Sequence, residues 1–104
     1  MQGPELNIAK NIKAIEWLKT ELTSSLASLF KALFKGNTEG AMEALAVIVI
    51  NSFLLAKRLG ISYGRLELAI HNRMTGLLKE KHPLEEWYGD LSSLKEYTEI
   101  KRGD

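Results

Sequence analysis

Between Glu5 and Lys35 the chain holds neither proline nor glycine, and Ile8, Ile12, Ile15, Leu18, Leu22, Leu26, Leu29 and Leu33 recur through it at steps of three and four. An α-helix brings residues at that spacing onto one face. As one continuous helix the span would run roughly 45 Å, at about 1.5 Å per residue. Thr20 to Ser25 contains weaker helix formers, so a bend or break there is the alternative path. Gly36 suits the position just past the helix end, because positive φ costs it no Cβ clash.

Thr38 is expected to cap the next helix, with Glu39 near the positive end of its dipole. Ala44 to Ile50 is a run of seven apolar residues, which predicts a helix buried on nearly every side. Taken alone, Val47 to Ile50 would equally suit a buried strand. The flanking Ala and Leu, and the length to Leu59 before any breaker, favour helix. Ala44, Ala46 and Ala56 would let neighbouring helices approach closely, and Gly60 closes the segment. Ser62 is expected to cap a third helix, with Ile61 and Leu66 at the spacing of a hydrophobic staple. Leu66, Ile70, Met74 and Leu77 form its stripe. Pro83 is placed to open a fourth helix, with Glu85 and Glu86 in its first turn. Leu84, Trp87, Leu91 and Leu94 form that stripe, and Gly89 weakens it.

The expected fold is therefore all-α: an antiparallel bundle of about four helices in a single domain over 1–104, with frayed ends at 1–12 and 98–104. The second helix is too apolar for one layer of neighbours, which predicts a dimer or tetramer. A net charge of +1, from fourteen basic and thirteen acidic residues, gives no footprint for nucleic acid. With no cysteine there is no disulfide framework and no Cys-type zinc site. Met1 to Lys13 has no apolar signal-peptide core. The longest nearly apolar run, Ala44 to Ala56, is shorter than the ~20 residues of a membrane span. A cytoplasmic protein with no membrane partner is the expectation.

Several pieces stand in a telling order: Trp17-Leu18-Lys19, Leu33-Phe34-Lys35-Gly36, Glu43-Ala44-Leu45-Ala46, and Leu54-Leu55-Ala56-Lys57-Arg58-Leu59-Gly60-Ile61-Ser62. From Trp17 to about Leu78 the chain resembles nucleotide pyrophosphohydrolases of the MazG kind. His82 to Leu91 looks like the tail of a group of short MazG-like proteins. The resemblance implies an all-α, dimeric or tetrameric fold. It also implies a Glu-Glu-x-x-Glu motif on one helix and Glu-x-x-Asp on the next, holding Mg²⁺ for the cleavage of nucleoside triphosphates to monophosphate and pyrophosphate. Registered on Lys35-Gly36, the first motif falls on Ser24, Ser25 and Ser28. Registered on Arg58-Leu59-Gly60-Ile61, the second falls on Ala44 and Val47. None of the five is acidic. Mg²⁺ is held by carboxylates together with phosphates and water, where it activates the attacking water. Hydroxyls are poor substitutes and Val47 offers nothing, so neither catalytic residues nor a metal cofactor is expected.

Other residues carry weaker readings. Glu21, one turn before Ser24 and Ser25, and Glu43, beside Ala44, would be the acids of a rebuilt Mg²⁺ site; otherwise they are solvated helix charges. The three serines are small residues at a helix contact or the lining of a polar pocket. Asn51, an amide inside a very apolar helix, needs partners: Ser52, a symmetry mate, or a pocket ligand. His71 and Arg73 lie on the helix where the resemblance places groups near phosphates; otherwise they form an exposed polar face. Lys57, Arg58, Arg65 and Arg73 could meet an anion; Lys57-Arg58 is equally the favourable charge pair expected at a helix C-terminus. Trp87 and Tyr88 are read as packing and interface anchors. The chain is thus expected to be a self-associating binding or regulatory module for a nucleotide or another small polar ligand. The alternatives are a divergent Mg²⁺- or Mn²⁺-dependent pyrophosphohydrolase and a purely structural interaction subunit.

Overall fold

The structure is a computed structural model and describes residues 4–101, with side chains from residue 7. Its elements are five helices: α1 (Pro4–Phe34), α2 (Thr38–Arg58), α3 (Tyr63–Lys79), α4 (Pro83–Tyr88) and α5 (Asp90–Lys101). Among the described residues there is no strand. The chain divides into two compact units, Met1–Tyr63 and Gly64–Asp104.

In the first unit α1 is unbroken across Thr20 to Ser25. Thr20 and Thr23 turn their hydroxyls back onto the carbonyls of Glu16 and Lys19, at 3.2 and 2.9 Å, so these weak helix formers are accommodated within the helix. The helix ends in a paired stop. Gly36, at φ 67°, donates to the Leu33 carbonyl at 3.1 Å, and the Asn37 N–H reaches the Ala32 carbonyl at 2.8 Å. A Cβ at that positive φ would be strained, so glycine is what makes the stop cheap. The same pair of bonds recurs at Gly60 (φ 83°), where Gly60 N meets Lys57 O at 3.1 Å and Ile61 N meets Ala56 O at 2.8 Å.

Asn37, rather than the expected Thr38, caps α2: its Oδ1 accepts from Gly40 N at 3.0 Å. The reason is the first stop, which leaves Asn37 extended (φ −90°, ψ 91°) and makes Thr38 the first helical residue. One residue therefore ends α1 with its main chain and starts α2 with its side chain.

The turn sends α2 back along α1. On α1 the inward residues are Ala14, Leu18, Leu22, Ser25, Leu29 and Ala32; on α2 they are Ala41, Ala44, Ile48, Asn51 and Leu55. Both sets repeat at three to four residues, as a two-helix seam requires. Of these, Leu18, Ala32, Ala41, Ala44 and Asn51 are buried. The expectation that α2 is buried on nearly every side is not met within the chain. One neighbour covers only one stripe of a helix, so Leu45 (51 % exposed) and Val49 (56 % exposed) stay open, as do Met42, Ile50 and Leu54. The apolar character of α2 also extends beyond Ala44–Ala56. Over its 21 residues the helix is long and apolar enough to cross a membrane by length and composition, with mean hydropathy 1.6. The core helix of a helical protein meets the same test.

In the second unit, α3 ends with Lys81 at φ 56° and His82 N donating to Leu77 O at 3.3 Å. His82 Nδ1 accepts from Leu84 N at 3.1 Å, capping α4 with Pro83 at its start as expected. The single fourth helix of the sequence analysis is two. Gly89 takes φ 71° and splits it, and the Glu85 side chain bridges the break by accepting from Ser92 N at 2.8 Å and from the Ser92 hydroxyl. Trp87 and Tyr88, expected as packing anchors, meet edge to face at 6.4 Å and are both exposed. The ends expected to fray, 1–12 and 98–104, are helical from Pro4 and up to Lys101; 1–3 and 102–104 lie outside the described residues.

Candidate functional site

Three cross-links fix how the hairpin helices align. Near the turn, Ala32 lies against Gly40, where an added Cβ would stand 3.4 Å from the Ala32 methyl. Farther along, Trp17 and Leu18 share a concavity with Leu54. At the open end Asn11 bonds Arg58 twice. Between these points Ser25 and Ser28 of α1 come level with Val47 and Ala44 of α2. Ser24 lies two turns beyond Trp17, and Val47 two turns before Leu54. A helix repeats its face after seven residues, so Ser24 and Val47 occupy the flank of the hairpin that carries Trp17 and Leu54.

The two helices thus bring Ser24, Ser25, Ser28, Ala44 and Val47 to one stretch of the hairpin. Ala44 is buried, Ser25 and Val47 are half-buried, and Ser24 and Ser28 are exposed. This stretch can offer hydroxyls and methyl groups but no charge. Glu21 and Glu43 do not repair it. Glu21 is half-buried and level with Asn51, whereas Glu43 is exposed and level with Leu29. Eight residues of helix, roughly 12 Å, therefore separate the two along the hairpin. Among the described residues no group of three His, Cys, Asp or Glu side chains is placed to hold a metal ion.

Asn51 is 6 % exposed. Among the described residues its amide has no hydrogen-bond partner. Ser52, the neighbour proposed for it, instead donates to the Ile48 carbonyl at 2.7 Å. His71 and Arg73 belong to the second unit. The His71 carbonyl accepts from the Thr75 hydroxyl at 3.2 Å, and Arg73 faces Glu80 at 3.8 Å in an exposed ion pair of little energetic weight.

The open end of the hairpin carries a feature that sequence reasoning saw only in part. A concavity of about 340 Å³ is lined by the apolar Ala14, Leu18 and Leu54, the aromatic Trp17 and Tyr63, and the cationic Lys57 and Arg58. Lys57 Nζ sits 5.2 Å from the centre of the Tyr63 ring, which also meets Phe53 edge-on at 6.1 Å. Arg58 Nη1 donates to Asn11 Oδ1 at 3.3 Å. The two cations were legible as an anion candidate. Tyr63 was not, because only the Gly60 turn swings it back over the end of α2.

A long antiparallel hairpin of two helices, followed by a second helical unit, defines an all-helical protein. The model of the MazG-like family matches residues 8–91, and the chain belongs to that family. No curated protein and no solved structure matches the chain.

Proposed function

We propose that this chain is a family member without pyrophosphohydrolase activity, acting as a self-associating binding or regulatory module in the cytoplasm. The observation that carries the reading is the composition of one stretch of the hairpin. The positions where the resemblance calls for five carboxylates are Ser24, Ser25, Ser28, Ala44 and Val47, and none of them is acidic. Mg²⁺ chemistry on a triphosphate needs anionic ligands at that point, both to hold the cation and to activate water. Three hydroxyls and two apolar side chains supply neither function. They leave a small, weakly polar surface suited to packing or to a neutral ligand.

Self-association is supported by the apolar residues that α1 leaves uncovered. Met42, Leu45 and Val49 on α2 are open, as are Ile12, Leu26 and Leu33 on one flank of α1. Exposed apolar side chains of this kind are what a dimer or tetramer interface covers.

Pyrophosphate release from a panel of canonical and modified nucleoside triphosphates, with Mg²⁺ and then Mn²⁺, tests the reading. No turnover above a no-protein blank is expected. Metal-dependent turnover abolished by Glu21→Ala or Glu43→Ala would overturn it and place a rebuilt site at those acids. Sedimentation equilibrium should give a mass at least twice that of the 11.7 kDa chain. Val49→Glu is expected to shift that mass toward the monomer.

A further inference from the structure

The concavity at the open end of the hairpin is chemically unlike the stretch discussed above and shares none of its five positions. Its lining is mostly apolar and aromatic, yet it includes two cations adjacent in sequence. Among the described residues no carboxylate lies within ion-pair distance of Lys57 or Arg58.

The ordinary task of basic residues at a helix C-terminus is to serve the last carbonyls. Here those carbonyls already have donors. Leu55 O accepts from Leu59 N at 3.1 Å, Ala56 O from Leu59 N and Ile61 N, and Lys57 O from Gly60 N. Arg58 O accepts from Asn11 Nδ2 at 2.9 Å. The ammonium and guanidinium groups are thereby left to the lining of the concavity. Both are held in place, Lys57 over the face of Tyr63 and Arg58 by Asn11. Placing charges before a ligand arrives lowers the ordering cost of binding.

We propose that this concavity is a binding site for a small aromatic anion, with the ring against Trp17, Leu18 and Leu54 and the charged head at Lys57 and Arg58. The volume lies at the lower end of small-molecule sites and suits one or two rings. A neutral aromatic would leave the cations unused. A bare inorganic anion would leave the apolar lining wet. A ligand carrying both parts satisfies both, because charge-assisted hydrogen bonds from fixed cations are stronger than neutral ones and a guanidinium matches carboxylate and phosphate alike.

The test is a heteronuclear NMR titration of the full chain, following the Trp17 indole N–H and the Leu18 and Leu54 methyls. The probes are benzoate, phenyl phosphate, benzyl alcohol and inorganic phosphate. Benzoate and phenyl phosphate should saturate these signals, and the ratio of their affinities distinguishes a carboxylate from a phosphate head. Benzyl alcohol should bind about tenfold more weakly or worse, the loss of one charge-assisted hydrogen bond. Inorganic phosphate should leave the methyls unmoved. Lys57→Gln keeps the Asn11–Arg58 contacts, and should weaken benzoate about tenfold while leaving benzyl alcohol unchanged. The proposal is overturned by benzyl alcohol binding as tightly as benzoate, by Lys57→Gln leaving benzoate unaffected, or by no saturable shift at Trp17 with either aromatic anion.

Discussion

Asn11 clasps Arg58 across 47 residues of chain. Its Nδ2 donates to the Arg58 carbonyl at 2.9 Å, and its Oδ1 accepts from Arg58 Nη1 at 3.3 Å. The two bonds tie the first turns of α1 to the last turn of α2, at the end of the hairpin farthest from its loop. Asn11→Ala removes both. Because the site is exposed, water replaces part of what is lost, and the expected destabilisation is about 1 kcal/mol. Urea unfolding monitored by helical circular dichroism measures it. A variant as stable as the parent would show that the clasp contributes no net stability.

Asn37 and Gly40 form a second dependent pair. The Asn37 cap should be worth about 1 kcal/mol, lost in Asn37→Ala. A Cβ on Gly40 would stand 2.7 Å from Asn37 Nδ2, so Gly40→Ala displaces the capping side chain. With Asn37 present, Gly40→Ala is expected to destabilise. In the Asn37→Ala background the same change should stabilise by about 0.5–1 kcal/mol, as helix propensity alone dictates. A double-mutant cycle reads the coupling, and additive effects would contradict it.

The bridge between α4 and α5 depends on pH. Hydrogen bonds from the Ser92 side chain, and then from its main-chain N–H, hold Glu85 below the ordinary glutamate range. A carboxyl depressed by folding contributes stability that is fully present above its unfolded pKa. That stability is lost as pH falls through the ordinary glutamate range toward the depressed value. Glu85→Gln should therefore lower helicity at neutral pH and lose its effect in acid. Ser92→Ala should return the Glu85 titration, followed by carboxyl ¹³C shifts, toward its ordinary position. An unchanged midpoint would rule Ser92 out as the cause.

Asn51 is 6 % exposed and no hydrogen bond reaches its side chain among the described residues, yet its amide atoms are not buried unpartnered, so they keep a contact with solvent at the edge of the seam. Asn51→Leu, of similar size, puts apolar surface into the seam in place of the amide and should raise stability by about 1 kcal/mol. Thermal unfolding at two protein concentrations tests it. A lowered midpoint would mean that the amide has a partner in the assembled protein, as a symmetry mate would provide.

The sequence by itself determined the helices and most of their ends. Helix formation and its stop signals are local: the spacing from Ile8 to Leu33, the positive-φ positions Gly36 and Gly60, and Pro83 each act within one or two turns of chain. Local rules also misplaced two boundaries by small margins. Thr38 yielded the cap to Asn37 because the preceding stop had already set the backbone of Asn37. Gly89 broke a helix it was expected only to weaken, because Glu85 could satisfy the new end. What the tertiary structure alone decided was which distant residues meet. The level of Ser25 against Val47, the distance of Glu21 from Glu43 and the Asn11–Arg58 clasp follow from the register of α1 on α2, and the Gly60 turn brings Tyr63 into one lining with Trp17. That register is set by side-chain packing along a seam and by the conformation of one turn. Neither is a property of any short stretch of sequence, so the mid-hairpin serines could be read from the chain whereas the cationic, aromatic concavity could not.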